Sequence, residues 1–178
     1  MALCTRWACS RSFGPLLILL LSWGEGEPAR GQSVGSWAHG VFPIDQFLGY
    51  TSHYGQRVGP DGQPQPHHGL DIAAPLHSPV RSWWSGQVIE TIQDASCGVG
   101  VQIRSGPYDH IYCHLDAQRM RRGEHVQTGQ VIGRIGLTGR TTGPHLHWGI
   151  LYRGQWIDPT RVLRAMIRQR RADGASGD

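Results

Sequence analysis

The chain of 178 residues holds 17 basic side chains, all Arg, against 13 acidic ones, for a formal net charge of +4. That length suits one domain with its own core rather than several. Two of the arginines, Arg6 and Arg11, belong to an N-terminal leader; without them the charge falls to +2, which excludes the strongly basic footprint of a nucleic-acid-binding protein.

Arg6 and Arg11 precede the apolar run 15–23, and small residues follow it, the order of a secretory signal over 1–24. The run is shorter than the roughly 20 residues a bilayer span needs, so no stable membrane span is expected after its removal. No cysteine follows it closely, so no lipid anchor is expected either. Residues 25–38 are polar, glycine-rich and aperiodic, and read as a flexible leader. An exported product, periplasmic or extracellular and monomeric, is the expectation.

From Phe42 onward the chain breaks into short segments punctuated by Gly and Pro. Segments 80–92, 100–104, 109–115, 130–135, 145–152 and 155–157 are β-branched or aromatic and bounded by turns, the pattern of an antiparallel β domain. Trp83, Trp84 and Trp148 read as sheet core rather than as a groove lining. One helix follows: Asp158 and Pro159 supply an N-cap and a first-turn proline, and Val162, Leu163, Met166 and Ile167 form an apolar stripe opposite Arg164, Arg168 and Arg171. Residues 172–178 are expected to fray. The arginines of this helix, and the cluster Arg119, Arg121 and Arg122, read as solvated faces.

Cys4 and Cys9 fall in the leader, leaving Cys97 and Cys113 on either side of a hairpin-like segment. In an exported domain they read as one disulfide, with a pair of buried thiols as the alternative. Zinc ligation by them is disfavoured because the chain has no Cys-x-x-Cys pair.

Chemistry concentrates in the histidines. His145 and His147 are one residue apart after the glycine-rich stretch 138–144, and alternate residues of a strand face one way, so both imidazoles aim at one point. His67 and Asp71 are four apart with Gly69 between them to let the backbone bend. His114 lies on a third segment. A catalytic zinc site wants about three N or O ligands and one open position, and these residues suffice for it.

Together these stretches resemble the lysostaphin-type zinc metallopeptidases, endopeptidases of bacterial peptidoglycan. The match runs from about Tyr50 to Leu163 and rests on the ordered set His67-x-x-x-Asp71, His114-Leu115 and His145-x-His147, with Gly86-Gln87-Val88, Gly129 to Gly133, Thr142-Gly143-Pro144 and Asp158-Pro159 around it. The resemblance implies a mainly β fold, an antiparallel sheet with an open groove over the metal and a short C-terminal helix, the domain occupying 39–163 and the helix end and tail 164–178. It implies one zinc per chain held by His67, Asp71 and His147, with His114 and His145 as catalytic imidazoles that orient or deprotonate the water and stabilise the tetrahedral intermediate. It also implies the Cys97–Cys113 disulfide.

Three departures follow. His77 stands where relatives carry a turn glycine. No tyrosine lies between Gly55 and His67 to stabilise an oxyanion, which leaves Tyr54 and Arg57 as candidates for that or for a substrate contact. No separate wall-binding module is visible. His68 reads as a solvent-facing neighbour of the ligand His67. The expected function is zinc-dependent hydrolysis of peptidoglycan peptides; the alternative is a silent relative that binds wall polymer or activates another hydrolase. The intact ligand set with both histidines favours the enzyme, and speaks likewise against a secreted zinc-binding signalling protein of this fold.

Overall fold

The computed structural model describes residues 36–59 and 62–175. The expected signal and residues 25–35 of the leader lie outside the described residues. A short 3-10 helix, Ser36–His39, comes first, followed by β1 (Gly49–Ser52), β2 (Gly55–Val58), β3 (Pro64–His67), β4 (Leu70–Ala73), β5 (Pro79–Arg81) and β6 (Gly86–Asp94). Then come β7 (Gly98–Ser105), β8 (Tyr108–Gln118), β9 (His125–Val126), β10 (Val131–Ile135), β11 (His145–Tyr152), β12 (Gln155–Ile157) and α1 (Pro159–Ala175).

Strands β1, β4, β11, β8, β7, β6 and β9 lie side by side in that order, with β12 on β11 and with β10 joining β8 to β5. Every pairing is antiparallel, and β2 and β3 form a separate hairpin. The mainly antiparallel β fold with one C-terminal helix is therefore as the sequence suggested.

The differences are local. Segment 80–92 is two strands, because Ser82 and Ser85 turn the chain: the Ser82 hydroxyl donates to the Trp84 carbonyl, and the Ser85 N–H donates to Thr128 Oγ1. Residues 36–38, read as leader, are helical, with Ala38 buried and Trp37 edge-on to Trp83 at 6.3 Å. Helix α1 continues through 172–175, where fraying was expected. Ile167, assigned to its buried stripe, is about half exposed, while Val162, Leu163 and Met166 are buried. Asp158 Oδ1 accepts the Thr160 N–H at 2.8 Å, the N-cap bond the sequence implied. His77 takes φ +64°, the left-handed turn position that glycine occupies most easily.

Trp83, Trp84 and Trp148 are all buried. Trp83 meets Trp148, Tyr108 and His110 edge-to-face at 5.8, 5.6 and 5.4 Å, so it is the hub of the core. A polar chain that starts at the Trp83 backbone threads this apolar region, while the buried indole N–H groups of Trp83 and Trp148 stay outside it without a hydrogen-bond partner. The Tyr112 hydroxyl accepts the Trp83 N–H and donates to His110 Nδ1, His110 Nε2–H donates to Ser105 Oγ, and Ser105 donates to the Ser85 carbonyl. That pattern requires a neutral imidazole. Burial pushes His110 down to about 3, against a smaller opposing pull from Asp109.

Because the folded-state value lies below that of an unfolded histidine, the unfolded chain binds the extra proton first, and stability falls as pH drops below about 6.5. His114 and His147, also lowered by burial, act in the same direction in metal-free protein. Urea unfolding at stepped pH should show the loss, and His110→Gln should remove about 1.4 kcal/mol per pH unit from the slope between pH 5.5 and 4. An unaltered slope would show that His110 is not buried neutral.

Candidate metal centre

Strand β11 lies between β4 and β8, and its register decides the site. His147 pairs with Asp71 on one side and with Cys113 on the other, while Trp148 pairs with Leu70 and Tyr112. Paired residues face the same way, so His145, His147 and Asp71 share one face of the sheet, as the His-x-His spacing implied. Leu146, Trp148 and Ile150 fill the core behind them.

His67 arrives from the β2–β3 hairpin, as the last residue of β3. Its Nε2 lies 3.0 Å from Asp71 Oδ1 and 3.1 Å from His147 Nδ1, which is itself 2.8 Å from the same carboxylate oxygen. The three ligating atoms all lie within 4.8 Å of one another. Gly69 makes room for them: a Cβ there would lie 2.5 Å from His147 Cε1.

Hydrogen bonds on the far ring atoms set the tautomers. His67 Nδ1–H donates to the His53 carbonyl at 2.7 Å, which leaves Nε2 bare and pointed at an acceptor-only carboxylate. Two imidazole nitrogens and a carboxylate oxygen converge there on one point. The donor set fits a metal ion. Burial raises the Asp71 carboxyl, but the neighbouring His147 and His67 outweigh it and hold it well below the usual carboxylate range. Its second oxygen accepts from Arg57 Nη1 at 2.7 Å. Burial lowers His147, partly offset by Asp71.

His114 and His145 flank the cluster with ring centroids 4.7 Å apart. His145 Nδ1–H donates to the Gly143 carbonyl at 2.8 Å, and its Nε2 lies 3.7 Å from Asp71 Oδ1. His114 Nδ1–H donates to the Thr138 carbonyl at 2.9 Å. Each therefore presents a bare Nε2. Burial pushes His114 down to about 4, with the Thr138 carbonyl opposing, so it is neutral at physiological pH.

Strand alternation alone would send His114 into the core, since its neighbour Cys113 already faces the site opposite His147. A left-handed backbone at His114, φ +63°, turns it back. The disulfide between Cys97 and Cys113 sits beside this twist, and the His114 N–H donates to the Cys97 carbonyl at 2.8 Å. That bridge settles the two readings of the cysteines.

An open cleft crosses the cluster. One arm, about 490 Å³, is lined by Thr51, Arg57, Arg140 and Pro144 beside Asp71, His114 and His145. A second, about 220 Å³, lies against His67, His68, His147 and the disulfide. Tyr54 lines neither arm and donates to the Trp156 carbonyl at 3.4 Å. His68 is exposed and stacks on Trp156 at 5.2 Å, away from the ligand atoms. Sequence reasoning missed the carbonyls of His53, Thr138 and Gly143, whose acceptors belong to the backbone and leave no mark in residue type.

Residues 65–159 match the model of peptidase family M23. The chain belongs to that family. Among M23 relatives, it is 35% identical over 129 residues to the peptidoglycan DD-endopeptidase ShyA of Vibrio cholerae, covering 71% of this chain and 29% of that one. It thus spans less than a third of the length of this relative. A zinc-containing peptidase of known structure from Vibrio cholerae is 36% identical with a TM-score of 0.62, over 70% of this chain and 38% of that one. The catalytic domain of lysostaphin from Staphylococcus simulans is 26% identical with a TM-score of 0.59, over 65% of this chain and 92% of that one.

The disulfide spans 16 residues of sequence. Replacing both cysteines by serine should cost about 3 kcal/mol in denaturant unfolding. A loss below about 1 kcal/mol would mean that the hairpin needs no cross-link.

Proposed function

We propose that the chain is a zinc metalloendopeptidase that hydrolyses peptide cross-links of peptidoglycan. The observation that carries this is the convergence of the ligand atoms of His67, Asp71 and His147 in an open cleft, with two further bare imidazole nitrogens beside them. Membership of a peptidase family supports it, as do relatives named peptidoglycan DD-endopeptidases. The exported location follows from that substrate, in the periplasm or outside the cell. Among the described residues no helix is long and apolar enough to cross a membrane.

His67 Nε2, His147 Nδ1 and an Asp71 oxygen hold one zinc, the ion best suited to two imidazoles and a carboxylate. When bound, zinc acidifies a water and polarises the scissile carbonyl. Arg57 keeps Asp71 oriented through its second oxygen. His114 and His145, each locked by a backbone carbonyl as the Nδ1–H tautomer, take a proton from the water at Nε2 and return it to the departing amine. With one Nε2 on each side of the cluster, the same pair stabilises the negative charge that develops on the carbonyl oxygen once protonated. Backbone anchoring means that neither ring reorganises during the reaction.

His145→Ala should retain about one zinc per chain by metal analysis and lower the release of peptide fragments from purified peptidoglycan by about 10²-fold or more. His67→Ala should lose the metal as well. A chelator should abolish cleavage, with zinc restoring it. Full zinc occupancy without fragment release from any wall type would move the reading to a wall-binding or activating protein, and His145→Ala with undiminished cleavage would remove that residue's role.

A further inference from the structure

Helix α1 carries the arginines Arg161, Arg164, Arg168, Arg170 and Arg171, and Asp173 is its one acid. Arg170 is held, its Nη2 donating to the Gly40 carbonyl at 3.1 Å. The other four are exposed and form no ion pair among the described residues. The nearby acids are already engaged: Asp45 accepts from Arg81, and Asp173 accepts from Gln169 and lies 3.5 Å from His39 Nδ1.

Beside this stripe lies an apolar groove of about 320 Å³, between α1 and the segment that leads into β1. Phe42, Phe47 and Tyr50 line one side and Leu163, Met166 and Ile167 the other, with Arg170 at its border. The aromatic side is a continuous run, Phe42 edge-on to Phe47 at 5.7 Å and Phe47 tilted on Tyr50 at 4.9 Å. Phe47, Leu48, Tyr50 and Ile167 are all exposed, so large apolar side chains face water on both sides of the groove. Clustered exposure of this kind forfeits burial free energy and marks a docking surface.

Helical spacing joins the two features. Arg164 and Arg171 stand three residues before and four residues after Ile167, and Arg168 follows it, so three cations flank this exposed apolar side chain. Apolar residues in the middle with guanidinium groups along the rim is the layout of a helix that lies in a membrane interface. A soluble anionic polymer would meet the arginines and leave the groove wet. An apolar protein surface would fill the groove but strip the arginines of water without supplying a counter-charge. A bilayer with anionic headgroups meets both at once, headgroups on the guanidinium groups and the acyl boundary against the apolar side chains.

We infer that this face of α1, with the segment 42–50, docks the chain on the surface of an anionic lipid bilayer. The groove is separate from the metal cleft: Tyr50 lines the first, whereas Thr51 and Ser52 line the second. Strand β1 divides them, so docking through one does not occupy the other. The inference stands independently of the peptidase reading. Its consequence for that reading is a site held at a fixed place relative to a membrane rather than one that diffuses freely.

The test uses the chain from Glu25 onward, which holds every described residue and lacks the apolar run 15–23. Its co-sedimentation is followed with vesicles of phosphatidylcholine alone, or of phosphatidylcholine and phosphatidylglycerol in equal parts. Wild-type protein should partition onto the anionic vesicles about 10²-fold more strongly. Arg164→Gln, Arg168→Gln and Arg171→Gln together should remove most of that preference. Leu48→Ser with Ile167→Ser should weaken binding about tenfold, at high salt as at low salt. All five positions are exposed, so thermal melts of both variants should match the wild type. Absence of binding to the anionic vesicles would overturn the proposal. Anionic binding untouched by Leu48→Ser with Ile167→Ser would overturn it as well, since charge alone would then account for it. A lipid-free dimer in analytical ultracentrifugation, broken by that same pair of substitutions, would assign the face to a second copy of the chain instead.

Discussion

The register of β11 is the constraint on which the site depends. His147 faces Asp71 across one ladder and Cys113 across the other, so residues of two strands that do not pair with each other are brought to one site by a third. What holds the register is apolar: Leu146, Trp148 and Ile150 are fully buried on the reverse face. A slip of one residue would put both histidines into the core and expose Trp148 to water, at a cost of several kcal/mol in lost burial. The core chooses the register, and the register aims the ligands.

The polar face has the opposite problem, since it gathers groups that resist being gathered. Asp71 is nearly inaccessible, and a buried carboxylate is stable only when its charge is met. One oxygen faces Arg57 and the other faces two imidazoles. The imidazoles cannot both act as donors to it without giving up the neutral, lone-pair-bearing form that ligation requires. A cation resolves this conflict for all three groups at once.

Much of this was legible in the chain, for reasons specific to each element. The alternation of His145, Leu146, His147 and Trp148 states its two faces outright, and the tryptophans identify the core because so large a ring has few other places to go. The hairpin strands β1 to β4 were less visible: each has only four residues, and Pro64, Pro66, Gly49 and Gly55 lower their strand propensity. The 3-10 helix at 36–39 is hidden inside a polar, glycine-rich stretch and forms because Trp37 finds Trp83 and Tyr108, contacts made far along the sequence. His114 is the most instructive case. Period-two reasoning places it in the core, and only the positive φ, next to a disulfide that anchors the preceding residue, returns it to the site. Backbone strain of about 1–3 kcal/mol at a single non-glycine residue is characteristic of functional positions, and it cannot be read from residue types.

The same segment shows how a rigid sheet steers groups that sit on loops. His114 and His145 are oriented by the carbonyls of Thr138 and Gly143, which belong to one loop. That loop is pinned at Thr138 to β7 and β8 and at Arg140 to Ser96. The turn carrying Ser96 is bonded in turn to Asp94 Oδ1 and, through Cys97, to the residue beside His114. The circuit closes on itself: moving the 138–143 loop would disturb both imidazoles together, and moving either imidazole would pull on the loop. Two bare Nε2 atoms thus keep a fixed separation without any direct bond between the rings. Orienting hydrogen bonds around a metal ligand set have this function generally, and here the backbone supplies them, which makes the arrangement tolerant of side-chain change at Gly143 but dependent on the Thr138 hydroxyl, which fixes the path of the loop.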